Sequence, residues 1–404
     1  MLNKIIKQIN LRNTTILLLA MYPLDQLHSS LFLGTALYSP YKIIMVGYLF
    51  YFLKFRGINN TFASKGILML LFGVVLLSAI SISWAFSDYY LAFKYTVQLA
   101  ILFSFTVVAI KIISHDEEAI KSIIFYWLIA SSIVAYYSLQ GMLSPDELST
   151  SKRIAFLDIG LNAIAISIGY ILILAITGFN LFMNERIKQL IMFVGILFCF
   201  WLLIRLGTRS VVWGIIFIFI IVSVLSFDIK KILITSFFIF FAYLAFNYFA
   251  ENNYLEGGLL ERLTNFNSEV FNDNARGQLW VDGIDWTFSN VLGSGAGNEA
   301  SVYRGLNSQG GLEAHNIFVS AFIQFGFLGF ALILCVMIAL FTKVFKFRNS
   351  NYMILYVAFL MFFSLQMLKG SFLQTRLFWQ PITILLILLN HQQHYTPTIK
   401  LKKN

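Results

Sequence analysis

HNIFVSAFIQFGFLGFALILCVMIALF, residues His315–Phe341, is the stretch whose reading decides the fold. A polar loop ends at His315 and Asn316, and the apolar run that follows has the length of a membrane-crossing helix. At about 100° per residue, positions eleven apart return to nearly the same face of a helix. Gly326 is therefore expected in line with His315, and Gly329 within half a quadrant of both. That places a titratable ring at the membrane surface, above two glycines that would let another helix pack close. Everything upstream reads as scaffolding that brings cations to this histidine.

The remainder of the chain agrees with a membrane setting. Of 404 residues, 59% are hydrophobic and only 12% charged, and the mean hydropathy is +0.78, more apolar surface than a soluble domain of this size could bury. Apolar runs predict twelve transmembrane helices, over 14–34, 40–56, 66–84, 91–112, 122–143, 160–183, 190–206, 210–227, 232–250, 315–341, 351–368 and 372–390. An even number puts both termini on one side. The first run lacks a small-residue cleavage site and is interrupted by Pro23, Asp25 and His28, so it reads as a retained helix rather than a signal peptide. The fold class is all-α and polytopic, divided into helices over 1–250, one large polar loop over 251–314, and helices with a tail over 315–404.

The net charge of +10 does not call for nucleic acid, because most Lys and Arg fall in alternate short loops, which marks those loops as cytoplasmic. Lys42, Lys94, Arg153, Arg205, Arg209, Arg276 and Arg376 break that pattern on the outer side. A charge in the apolar core costs about 2.5–3.5 kcal/mol on insertion scales, so cations kept there against the rule suggest work to do. Cys199 and Cys335 lie inside apolar runs without CxxC spacing or neighbouring histidines, and no metal site, disulfide framework or cofactor is expected.

Four constellations could carry chemistry. His315 reads either as a cap on its helix or as a general base. At Gly207-Thr208-Arg209-Ser210 two apolar runs meet almost without a loop, so Arg205 and Arg209 are either snorkelling anchors or a bidentate anion clamp. Asp273 or Asn274 could cap a short helix with Leu279, Trp280, Ile284 and Phe288 along one stripe, carrying Arg276 in its first turn. Trp280 and Trp286 suit a membrane-interface belt. Gly293-Ser294-Gly295-Ala296-Gly297-Asn298 is a flexible turn or a phosphate-cradling nest. Arg153 and Lys94 have packing readings as well as functional ones, and Lys369 and Arg376 read as anchors.

In this order the motifs resemble the O-antigen ligase / O-antigen polymerase superfamily of bacterial inner-membrane glycosyltransferases. His315-Asn316, then nine residues, Gly326, two residues and Gly329 match its histidine–glycine pattern; Thr208-Arg209-Ser210 matches its arginine reversal; Arg276, Trp280 and Gly293–Gly297 match its loop. The usual Ser-Arg-Gly reversal is altered here to Thr208-Arg209-Ser210. The resemblance implies about twelve helices with one large periplasmic loop in a GT-C-like arrangement, and both termini in the cytoplasm. It implies metal-independent, inverting transfer of a glycan from undecaprenyl pyrophosphate to an acceptor hydroxyl, either lipid A-core (a ligase) or a lipid-linked repeat (a polymerase). His315 would be the base and Arg209 and Arg276 the pyrophosphate clamp, with Asn316, Arg205, Arg153 and Lys94 in support. The order and spacing of Arg209, Arg276 and His315 are closer to ligases. A flippase or other transporter shares the hydropathy, but its charges tend toward mid-membrane, whereas these gather at one face.

Overall fold

The computed structural model describes residues 2–21, 44–49, 64–142, 161–206, 209–226, 274–306, 313–347, 350–370, 373 and 375–394. Among these residues every regular element is helical. In chain order they are α1 (Leu2–Ala20), α2 (Lys65–Ser81, prolonged by a 3₁₀ turn Ile82–Trp84), α3 (Tyr89–Ile113), α4 (Glu117–Met142), α5 (Leu161–Thr177), α6 (Arg186–Leu206), α7 (Arg209–Ser226), α8 (Asn274–Ser289), α9 (Glu299–Gly305), α10 (Ile317–Thr342), α11 (Ser350–Met367) and α12 (Arg376–His394).

Among the described residues, four spans are long and apolar enough to cross a membrane: Lys65–Trp84, Tyr89–Ile113, Arg186–Leu203 and Ile317–Thr342. They fall where hydropathy predicts them. Along α2, Leu68, Leu71 and Val75 are buried while Met69, Phe72, Leu76 and Ile80 are exposed. A helix apolar on its packed and its open face alike is fitted to lipid rather than water. The middle of the bundle is formed by α5 and α12, whose side chains from Ile164 to Ala175 and from Leu377 to Leu389 are nearly all buried. Around them, α5 packs on α4, α6 and α11, and α12 on α3 and α11.

Several polar groups inside this apolar body pair with one another, which offsets the several kcal/mol an unpaired one costs in hydrocarbon. Thr106 and Thr383 share a hydroxyl–hydroxyl bond of 2.8 Å, Asn390 Nδ2 donates to Ser64 Oγ at 2.8 Å, and Gln380 Nε2 donates to the Leu19 carbonyl at 2.6 Å.

Several expectations shift. The first helix begins at Leu2, not 14, and closes at Ala20, with residues 22–43 outside the described set. Its basic start is made of good helix formers, its apolar face (Leu11, Ile16, Leu19) joins the core, and Arg12 ion-pairs with Asp116 at the α3–α4 connection. Of the span expected at 40–56 only 44–49 is described, and the one at 232–250 lies outside. Arg376 is no headgroup anchor: it is only 9% exposed and lines a small cavity with Leu19, Thr106, Trp379, Gln380 and Thr383.

The decisive correction concerns the helix expected over 315–341. It starts at Ile317, with His315 outside it in a left-handed conformation (φ 51°), and it breaks at Gly326 (φ 63°, ψ −159°). His315, Gly326 and Gly329 therefore share no helical face. The glycines do not form a flat seam for a neighbouring helix either. A Cβ on Gly326 would lie 1.9 Å from the Val291 carbonyl oxygen, so the close approach is made by a loop backbone.

Candidate functional site

The break in α10 explains the glycine run. A helix interrupted at Gly326 leaves carbonyls on its preceding turn without their intrahelical donors. The backbone N–H of Ser294 donates to the Ile323 carbonyl at 2.8 Å and that of Gly295 to the Gln324 carbonyl at 2.9 Å. The remaining N–H groups of the turn are also committed: Gly293 to Asn290 O, Ala296 to Ser81 Oγ, Gly297 to Gln324 Oε1 and Asn298 to Gly295 O. Gly293, Gly295 and Gly297 all have positive φ (78°, 85° and 75°), which glycine adopts without steric cost. The phosphate-nest reading falls, because none of its donors is left for an anion, and a turn so bonded is a rigid insert rather than a flexible link.

The insert ties three parts of the chain together. Asn298 Oδ1 accepts from Ser87 Oγ (3.0 Å) and the Asp88 N–H (3.2 Å), Trp84 Nε1 donates to the Leu292 carbonyl (3.1 Å), and the Phe86 N–H donates to the Ser294 carbonyl (2.8 Å). A Cβ on Gly297 would lie 2.0 Å from the Tyr95 ring, so the start of α3 is pressed against the turn. Lys94, half-buried, is the neighbour of that tyrosine.

From this platform α9 leaves at Glu299 and meets the head of α10. Asn316 caps α10: its Oδ1 accepts from the N–H groups of Phe318 (2.9 Å) and Val319 (3.3 Å). The two peptide groups flanking Ala314, just before His315, are each held. The Ala314 N–H donates to Glu299 Oε1 at 2.7 Å, and the Ala314 carbonyl, in the peptide group shared with His315, accepts from Trp280 Nε1 at 2.6 Å. Glu299 Oε2 accepts in addition from Ser320 Oγ and from Gln324 Nε2 (3.2 Å). Glu299 is only 5% exposed; burial pushes its carboxyl above the usual carboxylate range, the Ala314, Ser320 and Gln324 donors pull it down, and the charge of Glu313 adds to the upward push.

The expected stripe on α8 is present: Leu279, Trp280 and Ile284 face inward, while Phe288 is exposed at its end. Leu279 is buried in a small apolar cluster with Val302, Tyr303, Ala314, Val319 and Ile323, against which Trp280, Ile284 and Trp286 pack. Phe288 meets Phe322 and Phe327 edge-on at 6.0 and 5.6 Å. Trp280 is thus a hydrogen-bond donor to the histidine's own loop, not simply a membrane-interface residue.

The candidate residues divide as follows. His315 is half-buried and Asn316 buried at one point. Arg276 stands in the first turn of α8, four residues before Trp280, and Arg209 opens α7, which packs on α11 and α5. Arg205 ends α6, and Arg153 lies outside the described residues. Sequence reasoning missed Glu299 and Gln324. In a loop rich in acidic residues Glu299 reads as solvated, and its position beside Asn298 at a helix start was the one available signal.

For the cap, Asn316→Ala is expected to lower stability by about 1 kcal/mol, since two N–H groups lose their acceptor. Thermal unfolding in detergent checks this, and Asn316→Asp should restore the loss.

A long helix broken to accept a loop, with a strained histidine at its head, gives this helical multi-pass membrane protein a candidate site at a helix entrance. Residues 170–334 match the family model described as O-antigen ligase, a stretch that runs from α5 into α10 and encloses Arg205, Arg209, Arg276 and His315–Gly329. The resemblance to the O-antigen ligase / O-antigen polymerase superfamily holds over that stretch and supports a function of the ligase or polymerase kind. No curated protein matches the chain.

Proposed function

We propose that the protein is an O-antigen-ligase-like glycosyltransferase. It moves a glycan from undecaprenyl pyrophosphate to a lipid A-core hydroxyl at the periplasmic face of the bacterial inner membrane, with both termini in the cytoplasm. The observation that carries this reading is His315 itself: a non-glycine residue held at φ 51° by bonds on both sides of its loop, inside the matched stretch. Backbone held in so sparsely populated a region clusters at active sites.

In this reading His315 removes the proton from the acceptor hydroxyl as its oxygen attacks the anomeric carbon. The bond from that carbon to the donor's phosphate oxygen breaks with inversion, and undecaprenyl pyrophosphate departs carrying the bonding pair. Without a metal, the departing charge requires fixed cations, and Arg209 and Arg276 provide them. Each stands in the first turn of a helix, where the helix dipole adds positive potential. Arg205, Arg153 and Lys94 support the same charge, and the segment 251–314 carries the acceptor surface.

Arg209→Lys and Arg276→Lys are each expected to lower the transfer rate about tenfold or more, because lysine keeps the charge but not the guanidinium fork. Rates measured with extracted lipid-linked donor check this; wild-type rates in both variants would return the arginines to the anchor reading.

The reading is tested on a deletion strain complemented with wild type or His315→Ala. Loss of a ligase leaves glycan on the lipid carrier and the core bare. Loss of a polymerase, which shares the motif and the family match, leaves single repeat units on the core and removes the longer chains. An unchanged surface profile defeats both.

A further inference from the structure

We infer that Glu299 and Trp280 are positioning residues for His315, gripping the backbone on either side of the Ala314 Cα from α9 and α8 so that the imidazole is presented to the acceptor hydroxyl. The inference rests on the reading of His315 as the base. The geometry that carries it is the double hold on one residue. The Ala314 N–H, in the peptide group before its Cα, is bound to Glu299 Oε1, and the Ala314 carbonyl, in the peptide group shared with His315, to Trp280 Nε1, so neither of these successive peptide planes can turn without breaking a bond of 2.6–2.7 Å. On the other side Asn316 fixes the entry into α10. A left-handed histidine costs energy and persists only when its surroundings over-determine it. Here three side chains from three elements do so.

Glu299 has further partners that suit this role. Its second oxygen accepts from Ser320 and Gln324, one and two turns into α10, and Gln324 Oε1 in turn accepts from the Gly297 N–H at 2.8 Å. The carboxyl thereby references the histidine loop to the rigid part of α10 and to the glycine insert at once. Trp280 does the same from α8, whose first turn contains Arg276. One grip therefore links the placement of the base to the helix that carries a donor-side cation.

The test uses purified full-length protein, with lipid-linked glycan and core lipid extracted from the deletion strain. Glu299→Ala is expected to lower kcat about 100-fold, the scale of a displacement near 1 Å, while KM for the donor stays within about threefold. Glu299→Gln should recover most of that loss, because its amide oxygen still accepts from Ala314 and the Ser320 hydroxyl can turn to accept from the amide nitrogen. Trp280→Phe keeps an aromatic ring against the cluster and removes the N–H, with an expected kcat loss of about tenfold. If Glu299→Ala fails to fold, Trp280→Phe decides alone. His315→Ala is run alongside. If it is inactive while Glu299→Ala and Trp280→Phe keep kcat within about threefold of wild type, the positioning role is overturned and the base stands. Variants that raise KM at unchanged kcat overturn it equally. A fully active His315→Ala removes the base, and the positioning role with it.

Discussion

His315→Ala should abolish glycan transfer while the protein still inserts and accumulates in the membrane. The expected fall in rate is about 10²–10⁴-fold, the range a positioned general base contributes. Its separation from a folding effect follows from the backbone. At φ 51° alanine is as strained as histidine, so the substitution neither relieves nor adds much strain, and the bonds to Ala314 and the Asn316 cap involve neighbouring residues. His315→Gly separates the two properties further. Glycine adopts the left-handed region freely, so this variant should unfold at a slightly higher temperature than wild type and yet be as inactive as His315→Ala. The checks are transfer rate and thermal unfolding on the same preparations. Wild-type transfer in either variant would end the role of His315 as the base, whatever the stability.

The strain at His315 also shows where the sequence was legible and where it was not. Hydropathy located α2, α3, α6 and α10 because lipid demands long apolar runs, and that demand acts on each segment separately. The spacing of His315, Asn316, Gly326 and Gly329 fits one continuous helix, and the structure breaks it. A glycine in an apolar run is compatible with both a packing seam and a break, and the choice depends on a loop some thirty residues upstream. The glycine run shows the same dependence: its N–H groups could have served a phosphate, and only the carbonyls of Ile323 and Gln324, released by the break, claim two of them. Glu299 stayed hidden for a related reason. A lone acid in an acidic segment reads as solvated, and its burial is created by α10 and the 313–316 loop folding over it.

Gly326→Ala should therefore be as damaging as losing the histidine, although it changes one hydrogen to a methyl group far from the proposed chemistry. At φ 63° and ψ −159° the position is in a region essentially confined to glycine, where any side chain costs about 1–3 kcal/mol. The new Cβ would also lie 1.9 Å from the Val291 carbonyl oxygen, a backbone atom that no rotamer change can move. Two relaxations are open. The loop can withdraw, which breaks the Ser294 and Gly295 bonds to α10 and pulls on Trp84, Ser87 and Asp88 through Leu292 and Asn298. Alternatively α10 can straighten and reclaim its own carbonyls, which leaves those same loop N–H groups without acceptors. Either route moves Asn298 and hence the start of α9, so Glu299 loses its hold on Ala314 and His315 is free to leave its strained conformation. The expected result is a loss of at least about 3 kcal/mol in stability, with transfer falling to the level of His315→Ala. Limited proteolysis should then cut within 290–306, where the bonded wild-type turn is expected to resist. Gly277→Ala is the matched control: nothing lies within 4 Å of its Cβ, and in a helix alanine is favoured over glycine by about 1 kcal/mol, so that variant should be active and as stable as wild type or more so. A Gly326→Ala protein with wild-type unfolding temperature and transfer would show that the break in α10 does not hold the loop.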